Sequence, residues 1–497
     1  MLFWINGFFM HFSLAYYLQK KIDADFFGII DINHKPKKFF QNQKLVNFKK
    51  VWFYHDHIKK FEKDNDEKYL VNFENKYQLN LWKYAINERF FYLHNRFYRF
   101  KKEEIISILE QELKLFESIL DETQPEYFLT YDPVFHHQKL LLDLCKVRGI
   151  KILSVILGTG IKNKIIIVED GSNYDLNENY NCSEKIDPKD LDQNKESYDS
   201  IVNNYLEFRK SNFSNKLIAL KDYLINFDTE LEKSNFMYYG KSKLKVVKDA
   251  LSFEIQRKKN LRNLQNLSTK SPNLDIPYVY YPMNIEEEMN ILHYAPFFTD
   301  QIDVIRNIAK SIPIDHTLYV KEHIAAGVRR WHDISYYKQI VEIPNIILIR
   351  PDFDNNKLIE NCKLLITTRG SSVIKGMKYC KPSIIFGEHP GKIMPSVFQV
   401  DSLNDLPELI KNALNYKVNS MELELYEKLF NNRLFEFNTF EYENKRDSHF
   451  YSGGILSNVE ISTEKALIFL EQNEQMFEKM VNTHLTIIIN HNRLNNQ

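Results

Sequence analysis

Short apolar runs recur along the chain, and most are followed by a stretch in which apolar residues return at helical spacing. "LFWING" at the start predicts a strand, and "FFMHFSLAYYLQKK" predicts a helix packed over it. "DFFGIID" and "VWFYHD" read as further strands. "ERFFYLHNRFYRFKKEEIISILEQELKLFESILDE" reads as one long amphipathic helix or two. "EYFLTYD" predicts a strand and "HHQKLLLDLCKVRG" a helix closing at Gly149, with "IKILSVI" and "KIIIVED" as the next strands. Strands separated by helices predict parallel pairing in an α/β sheet.

The strand signal disappears between about 181 and 270. "NENYNCSEKIDPKDLDQNKES" reads as a polar loop, while "SYDSIVNNYLEFRKSNFS" and "GKSKLKVVKDALSFEIQRKKNLRNLQNL" read as basic helices. Ser, Pro, Asn and Asp cluster in "STKSPNLDIP", which suits a connection between domains. The alternation returns at "YVYYPM", "TLYVKEH", "NIILIRP", "KLLITTR" and "PSIIFG", each run preceding a helical segment up to "LNDLPELIKNALN". The expected organisation is an N-terminal Rossmann-like lobe (1–180), a helical insertion and linker (181–272), a second Rossmann-like lobe (273–435) and a C-terminal helical extension (436–497). Two parallel-sheet lobes facing a central cleft is the fold this predicts.

Composition changes this picture little. The 497 residues are too many for one ordinary core. Lys plus Arg equals Asp plus Glu at 66 each, so no basic surplus advertises nucleic acid. The four cysteines form no CxxC pair, which argues against structural zinc and a disulfide framework and for a reducing cytosol. The opening apolar stretch is short for a membrane span and contains Asn6, His11 and Ser13. Aromatic residues make up 14 %, alongside abundant Asn, Lys and Ile, so this content is not read as functional.

Candidate chemistry lies where strands end, because ligands of open α/β sheets bind at the carboxyl edge. After "KLLITT", Arg369, Gly370, Ser371 and Ser372 offer backbone N–H groups, two hydroxyls and a cation for a phosphate. Ser371 could equally act only as a helix cap. Lys321 and His323 end "TLYVKEH" and are candidates for the same crevice. Glu169 and Asp170 end "KIIIVED", where a general base or a solvated turn would fit. Asn6, His11, Asp132 and His136 lie near the ends of two first-lobe strands and are candidates for acceptor contact. His136 and His137 are consecutive and do not share a helix face, which makes a poor metal pair. The stretch "RFFYLHNRFYRFKK" suits a membrane surface or a lipid-linked acceptor, or more simply a solvated helix face with a core stripe.

Two segments, "YVYYPMNIEEEMNILHYAPFFTDQIDVIRNIAKSIPIDHTLYVKEH" and "YYKQIVEIPNIILIRPDFDNNKLIENCKLLITTRGSSVIKGMKYCKPSIIFG", resemble the C-terminal lobe of capsule polysaccharide biosynthesis proteins. The resemblance rests on the order of the "YVKEH" strand end, "PN" before the next strand, the Gly-Ser loop and the "KP…FG" close. It implies a GT-B-like fold and a glycosyltransferase of the kind related to Kdo transferases and bacterial sialyltransferases. A nucleotide-sugar donor, CMP-linked by that analogy, would bind the second lobe, and a glycan or lipid-linked glycan acceptor the first. The resemblance places His323 on the family's His-Pro motif, Ser371 and Ser372 on the donor-phosphate hydroxyl pair, and Asp170, beside Glu169, on the acidic base. No cofactor is expected and, because those fixed donors can replace one, no metal; the expected location is cytoplasmic, with peripheral contact at the inner face of the cell membrane. Three positions depart from the family pattern: Ile324 replaces Pro, Val373 replaces a small residue, and Lys375 replaces a ribose-binding Glu. Lys cannot accept hydrogen bonds from ribose. Two alternatives therefore stand beside the transferase: a non-catalytic glycan-binding or export-associated protein, and an epimerase-like enzyme acting on UDP-sugars.

Overall fold

The computed structural model describes residues 1–59, 65–157, 163–169, 213–226, 235–430, 433–454, 456 and 458–495. The predicted loop "NENYNCSEKIDPKDLDQNKES", and almost all of the helix predicted at "SYDSIVNNYLEFRKSNFS", lie outside these residues.

The first sheet is built from β1 (Leu2–Asn6), β2 (Phe26–Asp31), β3 (Phe48–Phe53), β4 (Tyr127–Tyr131), β5 (Lys151–Ile156) and β6 (Lys164–Glu169). The second comprises β7 (Tyr278–Pro282), β8 (Thr317–Lys321), β9 (Ile346–Ile349), β10 (Leu364–Thr367), β11 (Ser383–Ile385) and β12 (Val397–Gln399). A last strand, β13 (Leu434–Glu436), returns to the first sheet. The spatial orders are β3-β2-β1-β4-β5-β6-β13 and β9-β8-β7-β10-β11-β12. Numbered within each lobe, the six strands of both run 3-2-1-4-5-6, the order of dinucleotide-binding sheets. The second sheet is parallel throughout. In each lobe the order reverses beside the first strand, between β1 and β4 and between β7 and β10, and there a crevice opens at the carboxyl edge.

β6 runs antiparallel to β5, with Glu169 opposite Leu153 and Ile166 opposite Ile156. The end of β6 therefore lies beside the start of β5, at the sheet edge away from the crevice. β13 pairs antiparallel with β6. The C-terminal helices Thr439–Phe450, Thr463–Gln472 and Glu474–Asn495 follow it. Their apolar residues Tyr442, Phe469, Phe477 and Met480 join the core made by β1, β2, β4 and β5. The expected C-terminal extension is thus a layer of the first lobe. The helix expected from residue 88 onward begins only at Lys102 and runs to Thr123; residues 88–101 are irregular.

The second lobe buries a stacked pair of tyrosines. Tyr278 stacks on Tyr319 with ring centres 4.3 Å apart. Their hydroxyls reach the backbone oxygens of Leu358 at 2.8 Å and Asn273 at 2.6 Å, so the apolar rings are buried without stranding a polar atom. The lobes touch along a third cluster, where Ile156, Ile166 and Val168 pack against Val373, Ile374, Met377 and Ile385.

Candidate functional site

Four strand ends of the second lobe bring the chemistry together. β7 leads into Asn284, β8 into Glu322 and His323, β10 into Thr368–Ser372, and β11 into His389. Gly370 is the pivot. A Cβ there would stand 2.7 Å from Thr367 Oγ1, 2.9 Å from Ser372 Oγ and 3.5 Å from Asn284 Oδ1. Only glycine leaves that space open between three polar side chains. Asn284 is clamped by Gln301, a fully buried side chain that accepts from its backbone N–H at 2.7 Å and donates to its carbonyl at 2.8 Å. Asp300 starts the helix Gln301–Ser311 by accepting from the N–H groups of Ile302 and Asp303, which fixes Gln301 in its first turn.

The clamp sets the Asn284 amide. Its Oδ1 accepts from Thr367 Oγ1 at 3.3 Å, and Thr367 Oγ1 in turn accepts from the Gly370 N–H at 3.0 Å. Asn284 Nδ2 and Ser372 Oγ are buried with no hydrogen-bond partner among the described residues. Buried polar atoms are nearly always paired, so these two orphaned groups beside one glycine form a candidate cradle for an acceptor-rich ligand. The helix Ser372–Lys378 has seven residues, and Ser371 at its N-cap makes no side-chain cap bond. Side chains, more than a long helix dipole, shape this seat.

His323 lies at the same edge. Its Nδ1 accepts from the Ala325 N–H at 3.2 Å, which leaves Nε2–H as the donor of a neutral ring. Burial first, then Lys321 and Arg329, lowers its pKa to about 4, so the ring is uncharged at neutral pH. Lys321 is buried at the end of β8. Glu322 is buried too, accepts from Tyr337 at 3.0 Å, and is pushed above the ordinary carboxylate range by burial. Lys375 donates to Asn356 on the neighbouring helix at 2.9 Å.

Arg369, expected at the phosphate, is engaged by the protein itself. Its Nε donates to the Glu388 carbonyl at 2.7 Å, Nη1 bonds Asn290, and its guanidinium lies over Tyr294. These contacts anchor the loop. The Tyr294 hydroxyl crosses to the first lobe and donates to Asp132 Oδ1 at 2.7 Å. His293 Nε2 reaches the Val134 carbonyl at 3.2 Å, and Asn87 Nδ2 the Pro296 carbonyl at 3.2 Å. The carboxyl edges of the two sheets therefore meet, and Asp132, at the end of β4, faces the second lobe. Asp132 is 3 % exposed, and its Oδ2 has no hydrogen-bond partner among the described residues. Burial raises its pKa, against the pull of Arg369, Tyr294 and Lys139.

The remaining expected site residues are dispersed. Glu169 lies at the far edge because β6 is reversed, and it pairs with His491 at 2.5 Å and Arg433 at 2.8 Å. Burial opposes its ionisation, but the hydrogen bond to His491 and the charge of Arg433 hold its carboxyl below the ordinary value. Asp170 lies outside the described residues. His11 is a core residue near Tyr131 and His484, kept neutral by burial with a pKa of about 3. Asn6 donates to Tyr131 and accepts from the Phe8 N–H, closing the turn after β1. His136 is fully buried between Glu88 and Glu112, at 2.8 and 3.0 Å. Burial disfavours its charge, yet the two carboxylates prevail and raise its pKa to about 10. Of the acceptor candidates, Asp132 is the one placed against the second lobe. Sequence reasoning missed Asn284, Gln301, Tyr294 and His389. Asn284 and His389 follow strands as His323 does, so the same strand-end rule could have found them.

Residues 186–393 match the model of the family described as capsule polysaccharide biosynthesis protein. The resemblance read from the sequence is borne out over that segment, which contains the whole Asn284–Gly370–Ser372 cradle. The fold is GT-B-like in its two Rossmann-ordered sheets with carboxyl edges opposed. No curated protein matches the chain. Among solved structures, the beta Kdo 2,7 transferase KpsC of Thermosulfurimonas dismutans aligns over 80 % of this chain and 98 % of its own, at 11 % identity and a TM-score of 0.31. The UDP-GlcNAc 2-epimerase of Methanocaldococcus jannaschii in complex with UDP-GlcNAc and UDP aligns over 87 % and 99 %, at 14 % identity and 0.25. That of Neisseria meningitidis bound to UDP-GlcNAc aligns over 88 % and 95 %, at 13 % and 0.21. Among the described residues, no helix is long and apolar enough to cross a membrane.

Proposed function

We propose that the chain is a glycosyltransferase of surface polysaccharide synthesis that takes a nucleotide-sugar donor, CMP-linked in the first instance, in its second lobe. The observation that supports this reading is the cradle around Gly370, where Asn284 Nδ2 and Ser372 Oγ are buried and unpartnered beside Thr367. Those donors, with the Ser371 hydroxyl and the Nε2–H of His323, suit the phosphate of such a donor. They would stabilise charge on the leaving phosphate as the bond to the anomeric carbon breaks. Asp132 replaces Glu169 as the candidate base: it would take the proton of the acceptor hydroxyl as that oxygen attacks. Its raised pKa and its position against the second lobe fit this task. Fixed donors of this kind let the transfer proceed without a metal at the phosphate. The acceptor is a glycan or lipid-linked glycan, bound by the first lobe at the inner face of the membrane.

Calorimetric titration of CMP and UDP into the full chain, repeated with Ser372→Ala, tests the reading. Nucleotide binding weakened roughly tenfold by the substitution is the expected result. Absence of any nucleotide affinity would overturn it and leave the glycan-binding or export-associated role. Interconversion of a UDP-sugar with no acceptor present would instead identify an epimerase-like enzyme.

A further inference from the structure

We propose that Glu112, His136 and His137 form a divalent-metal site of the zinc type inside the first lobe. One carboxylate oxygen of Glu112 and one ring nitrogen of each histidine lie within 4.8 Å of one another, and all three side chains are fully buried. They come from two elements. Glu112 sits midway along the helix Lys102–Thr123, and the histidines open the helix His136–Val147. His136 Nε2 is 3.0 and 3.1 Å from the two Glu112 oxygens. Two ligands of a tetrahedral zinc ion, each bonded at about 2.0 Å, stand about 3.3 Å apart. That pair is therefore close to ligating distance already.

The surroundings follow the pattern that supports such an ion. His136 Nδ1 is 2.8 Å from Glu88 Oε2, the carboxylate contact that orients a metal-bound imidazole through its second nitrogen. Tyr54 donates to Glu112 in the same way. His137 is the independent observation. Its ring is wholly inaccessible, it stacks on Tyr54 with centres 4.4 Å apart, and neither ring nitrogen has a hydrogen-bond partner among the described residues. Asp31 Oδ2, 3.6 Å from His137 Nε2, adds another carboxylate beside it. Two imidazoles and a carboxylate, with no sulfur, suit Zn²⁺ or Co²⁺ and not Ca²⁺. The ion would tie the helix Lys102–Thr123 to the segment following β4, which carries Asp132, as a structural pin remote from the donor seat. The reading of His136 and His137 as a poor metal pair weighed the two histidines alone. The third ligand belongs to another helix. This inference does not rest on the proposed transferase activity.

The test uses the full chain, purified without a metal-affinity step and dialysed. Metal content is measured by mass spectrometry, and Co²⁺ is titrated into chelator-treated protein while ligand-field absorption is followed. About one equivalent of retained Zn²⁺ or tetrahedral Co²⁺ is expected. Affinity should fall roughly tenfold or more in His137→Phe, which keeps the ring stack, and in Glu112→Gln. A folded wild-type protein with neither retained metal nor cobalt bands overturns the proposal, whatever the variants do. So does metal retained equally by both variants.

Discussion

The guanidinium of Arg369 lies 3.7 Å from the ring centre of Tyr294, and that tyrosine's hydroxyl holds Asp132 of the opposite lobe. One aromatic side chain thus joins the loop after β10 to the strand end of β4. Tyr294→Phe keeps the stack and removes the one hydrogen bond that the Asp132 carboxylate makes among the described residues. A loss of about 1–3 kcal/mol in urea-induced unfolding is expected. Unchanged stability would mean that this hydrogen bond contributes nothing measurable to holding the lobes together.

Gly370→Ala should abolish nucleotide binding without unfolding the protein. The added methyl would stand 2.7 Å from Thr367 Oγ1 and 2.9 Å from Ser372 Oγ, so both hydroxyls must shift from the positions proposed to hold the ligand. Ser372→Ala, by contrast, should leave the ligand-free protein as stable or slightly more stable, because the Oγ it removes has no hydrogen-bond partner among the described residues. Thermal unfolding with and without nucleotide separates the two effects.

The Glu88–His136–Glu112 cluster predicts a pH dependence of stability in the metal-free protein. The His136 pKa rises from 6.5 to about 10 on folding, so its contribution is complete below pH 6.5 and is lost as pH rises through 10. Glu88 falls from 4.5 to about 2, because His136 and Arg89 outweigh the cost of burial. Its contribution is complete above 4.5 and is lost as pH falls through 2. His136→Gln should cost about 3–5 kcal/mol near pH 6 and flatten the alkaline limb. Urea unfolding in the presence of a chelator, at several pH values across that range, measures both.

Glu169→Gln should leave nucleotide affinity unchanged and lower the melting temperature. Its partners His491 and Arg433 belong to the C-terminal segment, so the change loosens that layer and nothing at the cleft. A selective loss of transfer activity would return Glu169 to the site.

Much of this architecture is written in local pattern. The runs "LFWING", "TLYVKEH" and "KLLITTR" became strands with their polar ends at the carboxyl edge, which is why His323 and Ser371 could be found. Direction is different: an apolar run such as "KIIIVE" looks the same whichever way it enters a sheet. The reversal of β6, and the removal of Glu169 with it, depend on pairing with β5 and β13. The Gln301 clamp on Asn284 was equally hidden, because two side-chain hydrogen bonds across 17 residues leave no periodic trace. The irregular course of residues 88–101 overrode a helical pattern. Phe91 and Phe100 are drawn onto each other and onto Phe236 and Tyr239, where burial outweighs propensity.

The return of β13 and its helices to the opening sheet has a consequence for biogenesis. Tyr17 bonds the Leu470 carbonyl, and Tyr442 bonds that of Phe8. On the ribosome, the half made first must wait for the residues made last before its interior is sealed, whereas the half made second has its whole sheet already in hand. Nascent chains should accordingly acquire protease resistance from the middle outward, and a stop codon near residue 433 should expose the amino-terminal half to aggregation.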